Sequence, residues 1–343
     1  MKRRILYFTG PRQVEVREES LPAPGADDVL VESLCSAISA GTEMLVYQGR
    51  FPRHLETDAI IPGMRSGFKY PLAYGYACVG VVRETGSRVD GAIRERFVFA
   101  FHPHASHFIT PADSLFPIPD SLSPQTACFL PNMETAVNLV QDGAPILGER
   151  VLVLGQGIVG LLTGSLLKDF PLEALVTVDP FDLRCKMSQA ENQASAIPVC
   201  KTLVPDEPDF RAQARSVLGQ GADLTFELSG NPSALNEAIA LTRFSGRIVV
   251  GSWYGEKPVE VDLGGSFHRS RIKLISSQVS TLSPELEGRW DKSRRFEVAW
   301  KSLERIKPEK WITHRFSIDQ AAEAYRLLDD DPQEAAQVLL TYG

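Results

Sequence analysis

The sequence predicts an α/β protein in which a β-rich N-terminal part precedes a domain built on a doubly wound parallel sheet. Residues up to about position 120 alternate short β-rich runs with glycine and proline and lack long helical periodicity. From Ser123 the pattern changes to helix and then to alternating strand and helix segments. That alternation is typical of a parallel sheet with helices on both faces. Within it, four apolar residues run directly into a glycine-rich turn.

The N-terminal part contains six runs of β-forming residues bounded by turn residues, as expected for strands. The predicted strands are Ile5–Phe8, Val14–Arg17, Val29–Ile38, Cys78–Glu84, Phe97–Phe101 and His107–Pro111.

A long loop is predicted between Tyr47 and Tyr74. A loop of this length in a compact domain is usually functional or disordered. It either covers a substrate or is a surface excursion whose charges are solvated. Its basic and aromatic residues are Arg50, Arg53, His54, Arg65, Lys69, Phe51, Phe68 and Tyr70.

The glycine-rich turn follows the predicted strand Val151–Leu154 and has the spacing Gly-x-Gly-x-x-Gly. Each glycine of such a turn has a mechanical role: Gly155 makes the tight turn, Gly157 lets the backbone approach a pyrophosphate, and Gly160 lets helix and strand pack closely. The helix that follows would offer its N-terminal N–H groups to phosphates. The sequence therefore predicts a dinucleotide-binding turn.

An acidic residue stands at the position that this motif requires. The second predicted strand, Leu175–Val178, ends in Asp179, nineteen positions after Gly160. A carboxylate there accepts hydrogen bonds from ribose hydroxyls and repels a 2′-phosphate, which favours NAD over NADP. Arg184 either supports the ribose edge, weakly tolerates a phosphate, or is a solvated helix arginine. The predicted cofactor-binding residues are Gly155, Gly157, Ile158, Val159, Gly160, Asp179, Arg184 and Ser229.

Further strands and helices continue the alternation and then leave it. Later strands are predicted at Asp223–Glu227, Gly246–Gly251 and Lys273–Ser277. The tail is predicted to contain an exposed charged helix around Trp290–Glu304, a strand near Thr313–Phe316, a helix over Ile318–Leu328 and a strand over Gln337–Leu340.

Length, charge and cysteine usage restrict the class of protein. A chain of 343 residues is too long for one simple core, so two domains are expected. A net charge of −7 argues against nucleic-acid or anionic-membrane partners. The basic N-terminus is followed by an apolar run too short for a signal peptide, and we expect a cytoplasmic protein. The cysteines are scattered singly, without a zinc or disulfide pattern, at Cys35, Cys78, Cys128, Cys185 and Cys200.

Over essentially its whole length the chain resembles the medium-chain dehydrogenase/reductase superfamily. Besides the glycine turn, the matching segments are Pro22-Ala23-Pro24, Val29-Leu30-Val31, Ala40-Gly41-Thr42-Glu43, Gly75-Tyr76, Val79-Gly80-Val81-Val82 and Pro117-Ile118-Pro119-Asp120. The resemblance implies a GroES-like catalytic domain over residues 1–125, a Rossmann NAD-binding domain over 126–278, and a segment over 279–343 that returns to the catalytic domain. It also implies an active site between the domains, a small-molecule substrate, and a homodimer or tetramer, of which we expect the homodimer.

The chain departs from the zinc enzymes of this superfamily at the metal ligands. The family's cysteine falls on Ala40, its histidine on Tyr76 and its glutamate on Ala77, and the third ligand region near Asn132 has neither cysteine nor histidine. Alanine cannot bind a metal, so neither a catalytic nor a structural zinc is expected. The chain resembles the zinc-lacking branch. More weakly, Ser39–Glu43, Tyr74–Tyr76 and Asn132–Thr135 resemble the bacteriochlorophyllide hydroxyethyl dehydrogenase-like subgroup.

Without zinc, a side chain must handle the proton while the nicotinamide transfers hydride. By resemblance, Thr42 matches a hydroxyl that touches the substrate oxygen, Tyr76 points at the reaction centre, and Glu43 matches an acid behind it. Thr42 is alternatively a satisfied strand-end hydroxyl, and Tyr76 a filler of the space left by the metal. His102 is the candidate base, because histidine titrates near neutrality. His102, His104 and His107 are alternatively surface residues or a metal site.

One residue and one segment have an open interpretation. Glu134 either binds substrate, orients a base, or only stabilises a helix N-terminus. The segment Gly264–Arg271 either holds an anion or is a glycine turn with solvated arginines.

The predicted function is an NAD-dependent, zinc-independent oxidoreductase that interconverts an alcohol and a carbonyl. The first alternative is a reductase of activated double bonds, as in zinc-lacking quinone and enoyl reductases, whose usual NADPH preference Asp179 opposes. The second is a regulatory protein that binds NAD(H) without catalysis, which the polar set Thr42, Tyr76 and His102 opposes.

Overall fold

The computed structural model describes residues 1–52, 69–193 and 195–343 of the chain. These form two compact units, one of Met1–Pro131 with Leu303–Gly343 and the other of Asn132–Ser302. The second unit extends to Ser302 and includes the start of its last helix, which a buried ion pair described below joins to Glu134. The domain bounds given above stay predictions.

The strands of the described residues, in chain order, are β1 (Lys2–Gly10), β2 (Gln13–Ser20), β3 (Asp28–Ile38), β4 (Leu72–Ala73), β5 (Cys78–Thr85), β6 (Phe97–Ala100), β7 (His107–Pro111), β8 (Phe116–Pro117), β9 (Arg150–Leu154), β10 (Ala174–Val178), β11 (Val199–Leu203), β12 (Ala222–Glu227), β13 (Thr242–Val250), β14 (Lys273–Ser276), β15 (Ile312–Ser317) and β16 (Gln337–Thr341). The α-helices are α1 (Thr42–Gln48), α2 (Pro124–Ala127), α3 (Leu130–Gly143), α4 (Ile158–Leu167), α5 (Asp182–Gln193), α6 (Phe210–Leu218), α7 (Ala234–Leu241), α8 (Lys292–Ile306) and α9 (Ala321–Asp330).

The first unit is β-rich, as predicted. One sheet has the order β2-β1-β4, and a larger sheet has the order β15-β16-β3-β5-β6-β8 with β7 also paired to β3. The C-terminal strand β16 pairs antiparallel with β3, so the tail of the chain completes this unit. Apolar side chains that alternate along β3 and β5 fill its core, because successive residues of a strand face opposite sides.

A short helix, α1, lies between β3 and the predicted loop, mostly in a stretch for which the sequence predicted no element. It has seven residues and ends at Gly49 in the left-handed conformation, with φ of 70°. The far end of the predicted loop is the short strand β4, which pairs with β1. Between them, the buried ring of Phe51 contacts that of Tyr70 edge-to-face. The loop residues Arg53, His54, Arg65 and Phe68 lie outside the described residues.

The second unit is a six-stranded parallel sheet of order β11-β10-β9-β12-β13-β14, which confirms the predicted doubly wound class. The strand order reverses direction between β9 and β12, and ligands of such sheets bind at the carboxyl ends of the strands there. Strand β11 was not predicted from the sequence. It lies at the sheet edge, and its half-exposed residues lack the continuous apolar run of the central strands.

The charged segment at the start of α8 is not the exposed helix that was predicted. Arg295 is fully buried, and its guanidinium donates to the carboxylate of Glu134 at 2.9 and 3.0 Å and to the side-chain oxygen of Asn138. Lys292 donates to the same carboxylate at 2.5 Å. Glu134 is therefore held by cations within the second unit. Burying an arginine is tolerated because its hydrogen bonds are satisfied.

In the part of the chain that the structure describes, no helix is both long and apolar enough to cross a lipid bilayer.

Candidate functional site

The glycine turn has the geometry that a dinucleotide-binding turn requires. Gly155 has a φ of 94°, and a Cβ on it would lie 2.6 Å from the backbone of Leu228. A Cβ on Gly160 would lie 1.9 Å from the carbonyl oxygen of Gly155, so the helix can approach only without a side chain. Gly157 caps α4 and faces open space, with nothing within 4 Å of a Cβ. The backbone N–H groups at a helix start, here including those of Ile158 and Val159, have no partner within the helix, which is what anion binding there requires.

Asp179 lies at the carboxyl end of β10, beside the glycine turn. Its carboxylate accepts hydrogen bonds from the backbone N–H of Gln156 at 2.7 Å and of Phe181 at 2.9 Å. Burial raises the pKa of Asp179, while Arg184 and the two amides oppose that rise. The Arg184 guanidinium is 4.0 Å from the carboxylate and lies over the ring of Phe181. The acid is therefore fixed in orientation beside the turn.

Ser229 follows β12 at the same edge of the sheet. Its backbone N–H donates to the carboxylate of Glu227 at 2.9 Å, and its hydroxyl donates to the same carboxylate. This loop lies against Gly155 of the turn. The structure therefore brings the eight predicted cofactor-binding residues to the carboxyl ends of β9, β10 and β12.

In the first unit, the Tyr76 phenol lies beside two side-chain hydroxyl groups near the N-terminus of α1. The Tyr76 phenol is hydrogen-bonded to the side chains of Ser39 and Thr42. Thr42 is the first residue of α1, and its N–H donates to the Ser39 hydroxyl at 3.3 Å. Burial, followed by the charge of Glu43, raises the pKa of Tyr76 to about 12, while the two hydrogen bonds lower it. The phenol therefore keeps its proton at neutral pH.

Glu43 follows Thr42 in α1, and its side chain is fully buried. One carboxylate oxygen accepts the N–H of Ser39 at 3.0 Å, and the other accepts the hydroxyl of Tyr325 and the Nε2–H of His104 at 2.9 Å. The His104 Nδ1 is 2.6 Å from the hydroxyl of Ser36. Glu43 and His104 thus form a buried carboxylate–imidazole pair whose hydrogen bonds are all made within the first unit.

Comparisons with known proteins agree with this architecture. No family model matches the chain. The starvation-sensing protein RspB of Escherichia coli K12 is 25% identical over 363 aligned residues, which cover 97% of each chain. The L-threonine 3-dehydrogenase of Xanthomonas campestris pv. campestris B100 is 24% identical, with 94% of each chain covered. A crystal structure of rspB from E. coli CFT073, a short chain alcohol dehydrogenase complexed with NADH, has a TM-score of 0.76, with 22% identity and 99% of each chain covered.

These relatives and this solved structure are alcohol dehydrogenase-like members of the medium-chain dehydrogenase/reductase superfamily, which the chain resembles. The predicted resemblance, the fold class and the dehydrogenase/reductase enzyme class are thereby confirmed. The zinc-lacking branch and the bacteriochlorophyllide-dehydrogenase-like subgroup stay predictions, as do the roles of the individual site residues.

The positions at which the resemblance places zinc ligands carry Ala40, Tyr76 and Ala77. Ala40 and Ala77 carry no donor atom, and the Tyr76 phenol is occupied by two hydroxyl groups. Cys35 precedes Ala40 by five positions, and Cys128 precedes Asn132 by four. Both cysteines are buried, and their sulfurs are 3.4 Å apart. Among residues 1–52, 69–193 and 195–343, no group of three or more His, Cys, Asp or Glu side chains is arranged to hold a metal ion.

The three histidines of the predicted cluster have separate environments. His102 stacks on the ring of Phe108 at 4.1 Å, and its Nδ1–H donates to the carbonyl of Pro103 at 2.8 Å. His107 contacts the hydroxyl of Ser106 at 3.2 Å. His104, with Glu43, is the one that joins the candidate site. Sequence reasoning placed His104 in the cluster but named His102 as the candidate base.

The expected titration of His102 near neutrality does not agree with its surroundings. Burial lowers the pKa of His102 to about 4, so the ring is neutral at pH 7 and gains a proton only in acid. A base with this pKa accepts a proton less readily than the free imidazole. The catalytic role of His102 stays a prediction.

One sequence signal could have indicated a close approach at Gly75, although not that His104 makes it. Gly75 has a φ of 119°, and a Cβ on it would lie 2.6 Å from the His104 ring. Glycine at this position therefore allows the imidazole to reach Glu43. A glycine in a β-rich run indicates such a close approach, although not which side chain makes it.

The segment Gly264–Arg271 is not arranged as an anion site. The carboxylate of Asp262 accepts the N–H groups of Gly264 and Gly265 at 3.0 and 2.9 Å, so the donors at its start are occupied by an internal anion. A surface cavity of about 490 Å³ beside it is lined by Arg211, Asn236 and Asp262 among others. The segment is a capped turn with exposed arginines, which was the alternative interpretation.

We expect the pH dependence of stability to reveal the neutral state of His102. Its folded pKa of about 4 lies below the ordinary value of 6.5. Folding therefore favours the neutral ring, and this stabilisation is complete above pH 6.5 and is lost as the pH falls toward 4. Between pH 7.5 and 5, the free energy of unfolding of the natural protein should fall by about 1–2 kcal/mol more than that of His102→Gln. Urea unfolding at each pH measures the difference.

The control is His268→Gln, which alters an exposed histidine and should follow the natural protein at every pH. Parallel curves for the natural protein and His102→Gln would contradict the assignment.

Proposed function

We propose that the protein is an NAD-dependent, zinc-independent oxidoreductase that interconverts an alcohol and a carbonyl by hydride transfer. The observation that carries this proposal is that one chain contains two sites, one in each unit. The second unit has a glycine turn with Asp179 oriented beside it, and the first unit has a phenol, Tyr76, supported by hydroxyl groups in place of metal ligands. The cofactor supplies the hydride chemistry, and the protein supplies binding, orientation and the proton.

The preference for NAD over NADP rests on Asp179. Its carboxylate is fixed by the N–H groups of Gln156 and Phe181, and each oxygen retains lone pairs for ribose hydroxyls. A 2′-phosphate would meet this negative charge at close range. Arg184 lies 4.0 Å from the same carboxylate, so part of its charge is balanced by Asp179 rather than offered to a phosphate. The relative from E. coli CFT073 was crystallised with NADH, which supports the same choice.

Zinc independence rests on the chemistry of the side chains at the ligand positions. Two alanines and a phenol hydrogen-bonded to hydroxyl groups offer no thiolate or imidazole, the usual ligands of catalytic zinc. A hydrogen-bond donor must then stabilise the charge that develops on the substrate oxygen. Tyr76 is the candidate for this role.

We assign the proton to Tyr76, with Thr42 and Ser39 as its supports. A phenol with a pKa of about 12 donates better than it accepts, so Tyr76 suits protonation of a carbonyl oxygen as hydride arrives. The two hydroxyl groups stabilise the phenolate left behind. Glu43 disfavours that phenolate by its charge, and its pairing with His104 and Tyr325 holds it in place. His102 is the remaining candidate base and would act in its neutral form.

Assembly and location are proposed from the family resemblance. We expect a homodimer in the cytoplasm that acts on a small-molecule substrate. The edge strand β14 supports an interface between copies, because it pairs only with β13 among the described strands and exposes 43% of Leu274. Sedimentation analysis measures the mass in solution.

Asp179→Asn should weaken NAD binding by about tenfold and reduce discrimination against NADP, because it removes the negative charge while keeping the side-chain shape. Isothermal titration with both dinucleotides measures the change. Ser216→Ala, an exposed helix substitution in the same unit, is the control. An unchanged ratio of the two affinities would show that Asp179 does not read the ribose.

Protein purified without added metal should contain far less than one zinc per chain, because the ligand positions lack donors. Dialysis against a chelator should leave turnover unchanged. Elemental analysis gives the metal content, and stoichiometric zinc that is needed for turnover would contradict the mechanism.

Tyr76→Phe should lower kcat by about a hundredfold or more, because it removes the proton donor and leaves the ring in place. The Kd for NADH should stay within about twofold, since Tyr76 does not belong to the dinucleotide-binding unit. Tyr7→Phe removes a hydroxyl that donates to Glu19 on the N-terminal hairpin, and this control should keep full turnover. Full turnover by Tyr76→Phe would move the proton donor elsewhere.

A further inference from the structure

A buried carboxylate ends strand β12 and is not used by the function proposed above. Glu227 is fully buried. Its carboxylate accepts the N–H of Ser229 at 2.9 Å, the Ser229 hydroxyl, and the hydroxyl of Tyr254 at 2.5 Å. These three donors are neutral, and the ion pairs of the described residues do not include Glu227. The negative charge of Glu227 is therefore stabilised by hydrogen bonds from neutral groups, and no ion pair among the described residues reduces its electrostatic field.

Hydrogen bonds join the loop after β12 to the loop after β13. The surface that they form, which includes Ser229, Gly230, Ser252, Tyr254 and Lys257, is called the wall below. The N–H of Gly230 donates to the Ser252 hydroxyl at 2.9 Å. The Lys257 ammonium donates to the carbonyl of Gly230, also at 2.9 Å. Tyr254, which lies between Ser252 and Lys257 in sequence, reaches back to Glu227. The loop after β12 and the loop after β13 are thus held together at the carboxyl edge of the sheet.

The position of this wall follows from the strand order. Along the sheet, β10, β9, β12 and β13 are neighbours. Asp179 follows β10 and the glycine turn follows β9, so a dinucleotide with its ribose at Asp179 and its diphosphate at the turn extends toward β12 and β13. The nicotinamide half of the dinucleotide would then be the half nearest to the wall. The wall also touches the turn, because a Cβ on Gly155 would lie 2.6 Å from Ser229.

We propose that Glu227 and Tyr254 position the nicotinamide half of the cofactor and that the Glu227 charge favours its oxidised form. The inference rests on the proposed function, in that the second unit binds NAD. The oxidised nicotinamide ring carries a positive charge and the reduced ring is neutral, so a nearby carboxylate without a cation partner attracts the first more strongly. Tyr254 keeps the carboxylate and both loops in place.

The test is isothermal titration of three ligands: NAD⁺, NADH and ADP-ribose, which lacks the nicotinamide. Glu227→Gln should bind NAD⁺ about tenfold more weakly than the natural protein and NADH at most about threefold more weakly. Tyr254→Phe keeps the charge but removes one donor, and should weaken NAD⁺ and NADH alike by about threefold. Both variants should bind ADP-ribose as the natural protein does.

Thr225→Val is the matched control, because it removes a buried hydroxyl from the same strand, where Thr225 pairs with Thr242 at 2.7 Å. It should leave all three affinities unchanged. An unchanged ratio of NAD⁺ to NADH affinity in Glu227→Gln, or an equal loss of ADP-ribose binding, would overturn the inference. If Glu227→Gln does not fold, Tyr254→Phe decides: a loss confined to the two dinucleotides supports the inference, and any other result overturns it.

Failure of the proposed function gives a different result. A natural protein that binds neither dinucleotide would overturn both proposals. A natural protein that binds NAD⁺ and NADH with a ratio unaffected by Glu227→Gln would overturn this inference alone.

Discussion

The second unit depends on how closely the first turn of α4 approaches the end of β9. The carbonyl oxygen of Gly155 occupies the space that a side chain at position 160 would need. The same close approach sets Gln156 where its N–H meets the Asp179 carboxylate, and it sets Gly155 against the backbone after β12. The ends of three parallel strands are therefore fixed relative to one another by backbone contact. Side-chain packing alone is more tolerant of substitution.

Three buried glutamates show how the fold separates structural from chemical charge. Glu134 is bound by the cations Arg295 and Lys292, which neutralise it and fix helix α8 to α3. Glu227 is held by neutral donors, and Glu43 by two neutral donors and an imidazole. An anion paired with arginine has little field left to act on a ligand, whereas one held by dipoles keeps its field in a medium of low dielectric constant.

Periodicity and glycine chemistry were enough to predict most of the fold. The strands that line the two cores were found because their apolar residues alternate or run continuously, and the glycine turn because steric demands leave few alternatives. Helix α1 was missed because seven residues are too few to establish a helical period. Strand β11 was missed because an edge strand need not be apolar on both faces.

The candidate site was harder to predict because its contacts join distant parts of the chain. His104 is 61 positions from Glu43, and Arg295 is 161 positions from Glu134. No local pattern distinguishes His104 from His102, since both lie in one short run of similar composition. What separates them is the tertiary structure, which stacks one ring on Phe108 and directs the other to a carboxylate.

The contact between Gly75 and His104 has a consequence for how this site can diverge. Because Gly75 has a left-handed φ and the imidazole fills the space of its missing Cβ, a larger residue at position 75 must be preceded by loss of the ring at position 104. Loss of the ring in turn leaves Glu43 without one of its donors. Among homologous sequences, these three positions should therefore covary as one inherited unit, so that a glycine far from Glu43 in sequence records whether a lineage has kept the buried acid–imidazole pair.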